Sequence, residues 1–271
     1  MMTSRAVVLA RGLGTRMRSA DPDATLTDQQ QRAAEAGQKA MMPIGGRPFL
    51  DFVLSAAADA GVSRVVVVVA ADHQELRRYY RELAPPRRVS LDFVVQPAPL
   101  GTADAVLAAE RWTEGESFLV MNGDNLYPVE AVRSIALLDE AGLAAFDRDD
   151  LVRSGNIEAA RVAAFALVEA DAAGWLTRIV EKPDMEPGRS SGPHELVSMN
   201  LWRFDRRIFD ACREVPRSPR GEYELPLAAG LALACGMRVR VVRARGPVLD
   251  LSRRADAAEL SRRLAGVTPR P

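Results

Sequence analysis

The most constraining feature of the sequence is an uninterrupted run of five valines within residues 64–70, RVVVVVA. A run that is β-branched almost throughout predicts a strand with both faces buried, which is typical of a parallel sheet covered by helices. Parallel neighbours need a helical crossover. Apolar residues recur at helical spacing over 49–60, with Pro48 at the first turn and Gly61 just past the end. The run and its flanks therefore predict an α/β chain.

Strands and helices alternate through the first half of the chain and follow a different order in the second. The predicted strands cover 5–10, 64–70, 89–95 and 117–121, and the helices 49–60, 74–83 and 102–111. Beyond about residue 144 the pattern predicts two strands within 161–184 joined by a turn at 173–174, strands over 196–205 and 238–244, helices around 208, over 225–233 and over 255–264, and a loop at 187–193.

This order predicts a single Rossmann-like α/β domain over 1–271, with a mostly parallel mixed central sheet flanked by helices. Ligands of such a sheet bind at the carboxyl ends of its strands. The end of the chain lacks a hexapeptide period, so we expect no C-terminal β-helix domain.

Charge and hydropathy exclude several classes of protein. The 271 residues contain 36 basic and 36 acidic side chains, so there is no basic excess for nucleic acid and no disorder-promoting charge imbalance. No apolar run approaches the ~18 residues of a membrane span, and the apolar stretch at 6–10 is too short for a signal peptide. The two cysteines, Cys212 and Cys235, are too far apart for a metal or redox pair. We expect a cytoplasmic protein that binds neither nucleic acid nor membrane.

Glycines follow the first predicted strand directly, in the segment GLGTRMR at 12–18. Glycine lets backbone N–H groups approach phosphate oxygens, and Arg16 offers a fork that grips two oxygens at once. The segment is not a dinucleotide fingerprint, because Met17 takes the third glycine position of GxGxxG, and it is not a P-loop. An NAD-dependent oxidoreductase is therefore disfavoured. These residues alone leave open whether the segment binds phosphate or is only a structural turn.

Only two of the basic residues are lysines, Lys39 and Lys182, and the others are arginines. The Lys ammonium is a compact point charge and the Arg guanidinium a wide planar fork, so a site built for one is a poor fit for the other. The two lysines are therefore candidates for sites that need a point charge. The simpler alternative is that these two positions kept lysine by chance.

Seven short motifs follow one another along the chain, and each is weak alone. They are LARGLGTRMR (9–18), KAMMPIGGRP (39–48), QPAPLGTADA (96–105), NGD (122–124), EKP (181–183), RGEYELP (220–226) and VLDLS (248–252). In this order they resemble the sugar-1-phosphate nucleotidylyltransferases. The resemblance implies metal-dependent transfer of a nucleotidyl group from a nucleoside triphosphate to a sugar 1-phosphate, with release of pyrophosphate and with Mg²⁺ as cofactor.

The resemblance also implies roles for individual residues. The catalytic side chains would be Arg16, Lys39 and Lys182, with Lys39 at the nucleotide phosphates and Lys182 at the sugar phosphate. The nucleotide contacts would be Leu9, Ala10, Arg11, Gly12, Gly14, Thr15, Gln96, Gly101 and Thr102, of which the last three would face the base. The sugar contacts would be Gly123, Glu181, Asn200 and Glu222. Asp124 and Asp250 would hold Mg²⁺, which prefers hard oxygen ligands.

Several of these residues also have simpler structural explanations. Thr102 is placed to cap the helix that it begins, and Glu222 to be an acid in the first turn of a helix. Arg11 stands where the family has Ala or Gly, so the identity of the nucleotide base stays open. The polar segment 21–38 is either a lid over the triphosphate or a passive insertion. His73 and His194 fall in predicted loops and receive no role.

Two other functions stay open at this point. One is transfer to a non-sugar alcohol phosphate, and the other is that of a non-catalytic, nucleotide-sensing relative, which the presence of both lysines and both aspartates disfavours. By family analogy Gln96 favours a pyrimidine, whereas GTADA also resembles the ADP-glucose-forming branch. The sequence does not set the oligomeric state, and a homo-oligomer is among the expected states.

Overall fold

A nine-stranded mixed sheet lies at the centre of the part of the chain that this computed structural model describes, residues 2–19, 21, 24–181 and 195–271. Its strands are β1 (Arg5–Leu9), β4 (Arg64–Val69), β5 (Ser90–Val95), β6 (Phe118–Asn122), β8 (Ala141–Asp147), β9 (Leu167–Ala170), β10 (Leu176–Val180), β11 (Leu196–Phe204) and β12 (Val239–Ala244). Two short pairs accompany it, β2 (Pro43–Ile44) with β3 (Arg47–Pro48) and β7 (Asn125–Leu126) with β13 (Leu249–Asp250).

The helices are α1 (Thr15–Arg18), α2 (Asp28–Glu35), α3 (Phe49–Asp59), α4 (Gln74–Arg78), α5 (Thr102–Ala108), α6 (Glu110–Thr113), α7 (Val129–Ala136), α8 (Arg148–Ser154), α9 (Ala159–Val162), α10 (Ile208–Glu214), α11 (Leu225–Ala234) and α12 (Arg254–Arg263). A 3₁₀ turn spans Lys39–Met41, and a π-helical turn, Tyr79–Leu83, continues α4. None of the described helices is at once long and apolar enough to cross a lipid bilayer.

The strand order is β10-β9-β11-β6-β1-β4-β5, with β8 beside β11 and β12 beside β8. The strands β6, β1, β4 and β5 are all parallel, so their carboxyl ends lie at one edge. The long strand β11 runs antiparallel to β6 and joins this part to the rest of the sheet. The predicted fold class, a Rossmann-like α/β fold with a mostly parallel mixed sheet, is confirmed, whereas the extent of the domain over 1–271 stays a prediction.

The valine run forms β4, and its side chains alternate between two hydrophobic cores. Val65, Val67 and Val69 belong to the core covered by α3, α7 and α12. Val66 and Val68 belong to the core covered by α5, α10 and α11. All five are fully buried. The absence of a polar alternation in the sequence thus reflects helices on both faces of the sheet.

Three predicted elements differ in the structure. The strand expected to begin at 161 begins at Leu167, because the alanine-rich residues before it form α9 and a loop, as their helix propensity favours. The helix predicted over 102–111 is divided into α5 and α6 at Ala109. The helix predicted over 74–83 changes to π-helical geometry at Tyr79. The loop predicted at 187–193 lies outside the described residues.

The polar segment 21–38 contains α2, which is docked on the body of the protein. Thr27 and Gln30 form a capping box at its start. Gln30 is buried, and its Nε2 donates to the carbonyl of Pro43 (2.9 Å) and to Ser261 Oγ (3.3 Å). These contacts favour a fixed element over a lid for residues 24–38, while residues 20, 22 and 23 lie outside the described part of the chain.

Candidate active site

A cavity of about 480 Å³ opens at the carboxyl ends of β1, β4, β5 and β6. This is the edge where ligands of open α/β sheets bind, and the volume is that of a small-molecule site. The predicted site residues that line it are Leu9, Ala10, Arg11, Gly12, Gly14, Thr15, Arg16, Lys39, Gln96, Gly101, Thr102, Gly123, Asp124, Asn200, Glu222 and Asp250. Glu181 is not among the lining residues, and Lys182 lies outside the described residues.

The glycine loop after β1 forms one wall of the cavity and packs on the turn after α2. Gly14 has a φ of +63°, and a Cβ there would lie 2.8 Å from the Cα of Gly37, so the close approach requires glycine. Arg18 strengthens the same contact, because its Nη2 donates to the Ala36 carbonyl (3.0 Å). Arg16 is exposed at the cavity and makes no ion pair with a described residue, which leaves its charge for an anionic ligand.

Gln96 follows β5 and is buried against the loop that leads into α5. Its Nε2 donates to the Gly101 carbonyl (3.1 Å) and to Asp104 Oδ2 (2.7 Å). Gly101 has a φ of +115°, and a Cβ there would overlap the carbonyl oxygen of Tyr223. Gln96 and Gly101 thus lie together, as the sequence predicts. Sequence reasoning missed Asp104, although it follows Gly101 by about one helical turn.

Thr102 does not cap its own helix, so that structural alternative is wrong. Its hydroxyl accepts from the N–H of Leu225 at the start of α11 (2.8 Å). Beside it, the Ala103 N–H donates to the Tyr223 carbonyl (2.8 Å), and the Tyr223 N–H donates to the Leu100 carbonyl (2.7 Å). The loop before α5 and the loop before α11 are therefore joined by three hydrogen bonds.

Lys39 and Asp124 form an ion pair in the cavity, with 2.9 Å between Nζ and Oδ2. Lys39 lies in the 3₁₀ turn, and Asp124 lies in the turn between β6 and β7. The side chains are 20% and 29% exposed, so both are able to reach a ligand. The pair places a point-charge cation beside a hard anionic oxygen, the two kinds of group that a metal-bound phosphate requires.

Asp250 is nearly buried, and other side chains bond both of its carboxylate oxygens. Asn125 Nδ2 donates to Oδ1 (2.7 Å), and Arg161 Nη2 donates to Oδ2. Arg161 is also buried, and its Nη1 donates to Asp256 Oδ1 (2.9 Å). Sequence reasoning missed Arg161, because nothing in its alanine-rich surroundings indicates a partner 89 residues away.

The two aspartates are neighbours across the β7–β13 ladder, and carboxylate oxygens are the kind of ligand that a hard divalent metal ion takes. Asp250 pairs with Asn125, and the Leu251 N–H donates to the Asp124 carbonyl (2.9 Å). Each carboxylate oxygen has two lone pairs, so Asp250 retains acceptor capacity beside its present bonds. The described residues contain no group of three or more His, Cys, Asp or Glu suited to a metal. One or two carboxylates, with phosphate and water as further ligands, is the donor set typical of Mg²⁺.

Asn200 lies on another wall of the cavity, in an irregular part of β11. Its φ is +58°, at the point where the register of β11 against β8 shifts, and asparagine tolerates this left-handed conformation. The Asn200 Oδ1 accepts from Trp202 Nε1 (3.2 Å), and the Asn200 N–H donates to Ser198 Oγ (3.2 Å). Asn200 thus lines the cavity through a backbone conformation that the sequence did not predict.

Glu222 lies in the loop ahead of α11, which begins at Leu225, so the first-turn alternative is wrong. Its Oε2 lies 3.5 Å from Arg220 Nη2. Glu181 contacts the same loop, through Glu224. Burial tends to raise the pKa of Glu224, but hydrogen bonds, with that to Glu181 foremost, outweigh burial and lower the pKa overall.

Arg11 and His73 line the cavity and have buried nitrogen atoms, Arg11 Nε and His73 Nδ1, with no partner among the described residues. Burial lowers the pKa of Arg11, against the attraction of Asp72 and Asp104. Burial also lowers the pKa of His73, and the charge of Arg11 adds to that effect, whereas Asp72 opposes it. Sequence reasoning gave His73 no role, although it follows β4 at the ligand edge. Unsatisfied buried polar atoms at a cavity favour a polar ligand there.

A glycine loop, a lysine–aspartate pair and a buried amide at the carboxyl edge of a parallel sheet suit a protein that handles nucleotides. The sequence profile of the nucleotidyl transferase family matches residues 5–239, and the chain belongs to this family. The resemblance seen in the seven motifs is thereby confirmed at the level of the family.

Two relatives and two solved structures illustrate the similarity. The chain is 30% identical over 263 residues to the UTP–glucose-1-phosphate uridylyltransferase AglF of Haloferax volcanii, covering 96% of both chains. It is 24% identical over 220 residues to the bifunctional protein GlmU of Methanococcus vannielii, covering 81% of this chain and 45% of that protein. It has a TM-score of 0.74 and 18% identity to a UDP-glucose pyrophosphorylase complexed with UDP-glucose, covering 97% and 98% of the chains. For the UTP-bound UGPase of Acinetobacter baumannii the TM-score is 0.74, with 20% identity and 99% and 96% coverage. At these identities the two structures support the fold alone.

Proposed function

We propose that the protein transfers the uridylyl group of UTP to a sugar 1-phosphate, producing a UDP-sugar and pyrophosphate. The observation that carries this proposal is the Lys39–Asp124 pair, which faces the same cavity as the buried amide of Gln96. The uridylyltransferase name of the Haloferax volcanii relative supports UTP and glucose 1-phosphate as the first substrates to test.

The proposed reaction brings two polyanions together, so positioning and neutralisation of charge account for most of the catalysis. An oxygen of the sugar phosphate attacks the α-phosphorus in line. The bond from the α-phosphorus to the oxygen that bridges to the β-phosphorus breaks, and pyrophosphate leaves without a covalent enzyme intermediate. Lys39 and Arg16 would neutralise the triphosphate, and Lys182 would neutralise the sugar phosphate.

The remaining assignments follow the same division. The loop residues Leu9, Ala10, Arg11, Gly12, Gly14 and Thr15, together with Gln96, Gly101 and Thr102, would contact the nucleotide. Gly123, Asn200 and Glu222 would contact the sugar, with Glu181 acting through Glu224. The cytoplasmic location and a homo-oligomeric state stay predictions.

Enzymes of this family generally depend on a divalent metal ion, and we propose Mg²⁺ for this one. Asp124 and Asp250 would hold it. When bound there, the ion would supply positive charge that offsets the negative charge developing during transfer. In the free protein Lys39 offsets the charge of Asp124, and Arg161 fixes the position of Asp250.

The proposal is tested by measuring pyrophosphate release with UTP, dTTP, CTP, ATP and GTP, each combined with glucose 1-phosphate, other hexose 1-phosphates or inositol 1-phosphate. We expect turnover with UTP and at least one sugar 1-phosphate in the presence of Mg²⁺. Turnover with inositol 1-phosphate alone would instead favour the non-sugar alcohol phosphate. Tight binding of UTP without turnover on any acceptor would favour a nucleotide sensor.

The substitution Arg11→Ala should redistribute kcat/KM among the five triphosphates. The buried Nε has no partner among the described residues, so a base carbonyl is able to satisfy it. Loss of such a charge-assisted hydrogen bond should change one ratio by about 1.5–3 kcal/mol, roughly 10- to 150-fold. Parallel kinetics on the five triphosphates check this, with Arg78→Ala, an exposed arginine of α4, as the matched control. An equal loss on all five would mean a phosphate contact, and unchanged ratios would remove Arg11 from base recognition.

A further inference from the structure

The orientation of the Gln96 side-chain amide is determined by its neighbours. Both groups that contact its Nε2, the Gly101 carbonyl at 3.1 Å and the Asp104 carboxylate at 2.7 Å, are only able to accept hydrogen bonds. The two hydrogens of Nε2 are therefore both in use. No described residue donates to Oε1, so the amide presents an acceptor to whatever binds in the cavity that Gln96 lines.

We propose that Asp104 is a positioning residue that holds the Gln96 amide with Oε1 toward the base, and that this selects pyrimidines with a ring N–H on the pairing edge, uracil and thymine, over cytosine. The inference rests on the proposed function and extends it from the nucleotide to the group that sets the choice of base.

The hydrogen-bonding edges of the bases explain the selection. Uracil and thymine carry an N3–H between two carbonyl groups, and this N–H is able to donate to Oε1. Cytosine has an unprotonated N3, whose lone pair would face the lone pairs of Oε1. Arg11 lies near Asp104, because the Asp104 carboxylate opposes the lowering of the Arg11 pKa by burial. The Nε of Arg11 has no partner among the described residues, so it suits a base carbonyl beside the N3–H. A site with buried polar groups discriminates strongly against a ligand that leaves them unpaired.

Asp104 contributes more to this orientation than Gly101 does. A half-turn of the amide would place Oε1 against the Asp104 carboxylate, and repulsion from a charged oxygen costs more than the loss of a bond to a neutral carbonyl. Asp104 itself is fixed, because it lies in the first turn of α5, and the start of α5 is bonded to the loop before α11 through Thr102 and Ala103.

The test compares wild type with D104A, D104N and the control D59A, which removes an exposed carboxylate of α3 that pairs with Arg88 outside the cavity. For each protein kcat and KM are measured for UTP, dTTP and CTP with glucose 1-phosphate, and Kd for UTP and CTP is measured by calorimetry. We expect the wild type to prefer UTP over CTP by about 100-fold or more, and D104A to reduce that ratio at least ~10-fold, with most of the change in KM. D59A should match the wild type.

The variant D104N separates orientation from charge. Its amide is able to accept from Gln96 Nε2 in the same place but lacks the charge that opposes a half-turn of Gln96, so we expect a UTP:CTP ratio below that of wild type and above that of D104A. A D104N variant as unselective as D104A would overturn the proposal, as would a D104A variant that loses UTP and CTP activity by one common factor. A wild type that uses CTP as well as UTP would also overturn it.

Failure of the proposed function gives a different result. In that case no acceptor supports turnover, but the ratio of calorimetric Kd values for UTP and CTP still falls in D104A, and falls less in D104N. The two ideas are therefore tested separately by one set of proteins.

Discussion

Replacing Asp124 with asparagine should lower kcat/KM by about 1,000-fold or more, equivalent to about 4 kcal/mol of transition-state stabilisation. The change removes the carboxylate charge proposed to hold Mg²⁺ and leaves the shape of the side chain nearly the same. The fold should stay intact, because Asp124 is 29% exposed and bonds Lys39 rather than the hydrophobic core. Initial rates of pyrophosphate release over a Mg²⁺ titration, with thermal melting followed by circular dichroism, measure both effects.

The control for this experiment is Asp59→Asn, the same chemical change at an exposed position of α3. It should keep wild-type rates at every Mg²⁺ concentration. If Asp124→Asn turned over at a near-normal, Mg²⁺-dependent rate, Asp124 would not be a metal ligand. If it lost activity together with more than a few degrees of Tm, the loss would reflect a structural role of Asp124 instead.

The substitution Arg161→Met should lower the free energy of unfolding by about 3–5 kcal/mol, because it leaves two nearly buried carboxylates, Asp250 and Asp256, without their cation. In a protein of this size that corresponds to a fall in Tm of about 10 °C. Thermal melting at neutral pH measures the loss. Activity should fall as well, since Asp250 loses the side chain that fixes it.

Arg153→Met in α8 is the matched control. Arg153 also pairs with a carboxylate, that of Asp150, but the two side chains are 72% and 40% exposed. Exposed pairs contribute less than about 1 kcal/mol, so this variant should melt within a few degrees of wild type. Equal melting temperatures for the two variants would show that the buried cluster contributes no more to stability than an exposed ion pair.

The fold was predictable from the sequence because its signals are local and strong. A valine run buried on both faces admits few other structures, and glycines follow β1 at the edge where ligands bind. The error at 161–166 has the same origin, because a local apolar pattern does not distinguish a short helix from the beginning of a strand. The alanines of this segment favour the helix, because alanine has the highest helix propensity.

The candidate site was predictable only where motifs carry its residues. Gln96 and Asp124 belong to motifs, and both line the cavity. Asp104 lies in the same motif as Gln96, but nothing in the motif indicates that the two side chains bond. Arg161 belongs to no motif, and sequence patterns do not predict which charges meet across the fold. Glu181 belongs to a motif, and its contact with Glu224 in the loop before α11 was not predicted.

The hydrogen bonds that join the loop before α5 to the loop before α11 have a consequence for how selectivity is able to change. Leu225 and Tyr223 are bonded to the stretch that carries Gly101, and Glu222 is the residue next to Tyr223. With Glu222 at the sugar as proposed, a substitution that moves this loop to admit another sugar also moves the residues around the base. The preference for the base and the preference for the acceptor then change together. Altering one while keeping the other requires compensating substitutions in both loops.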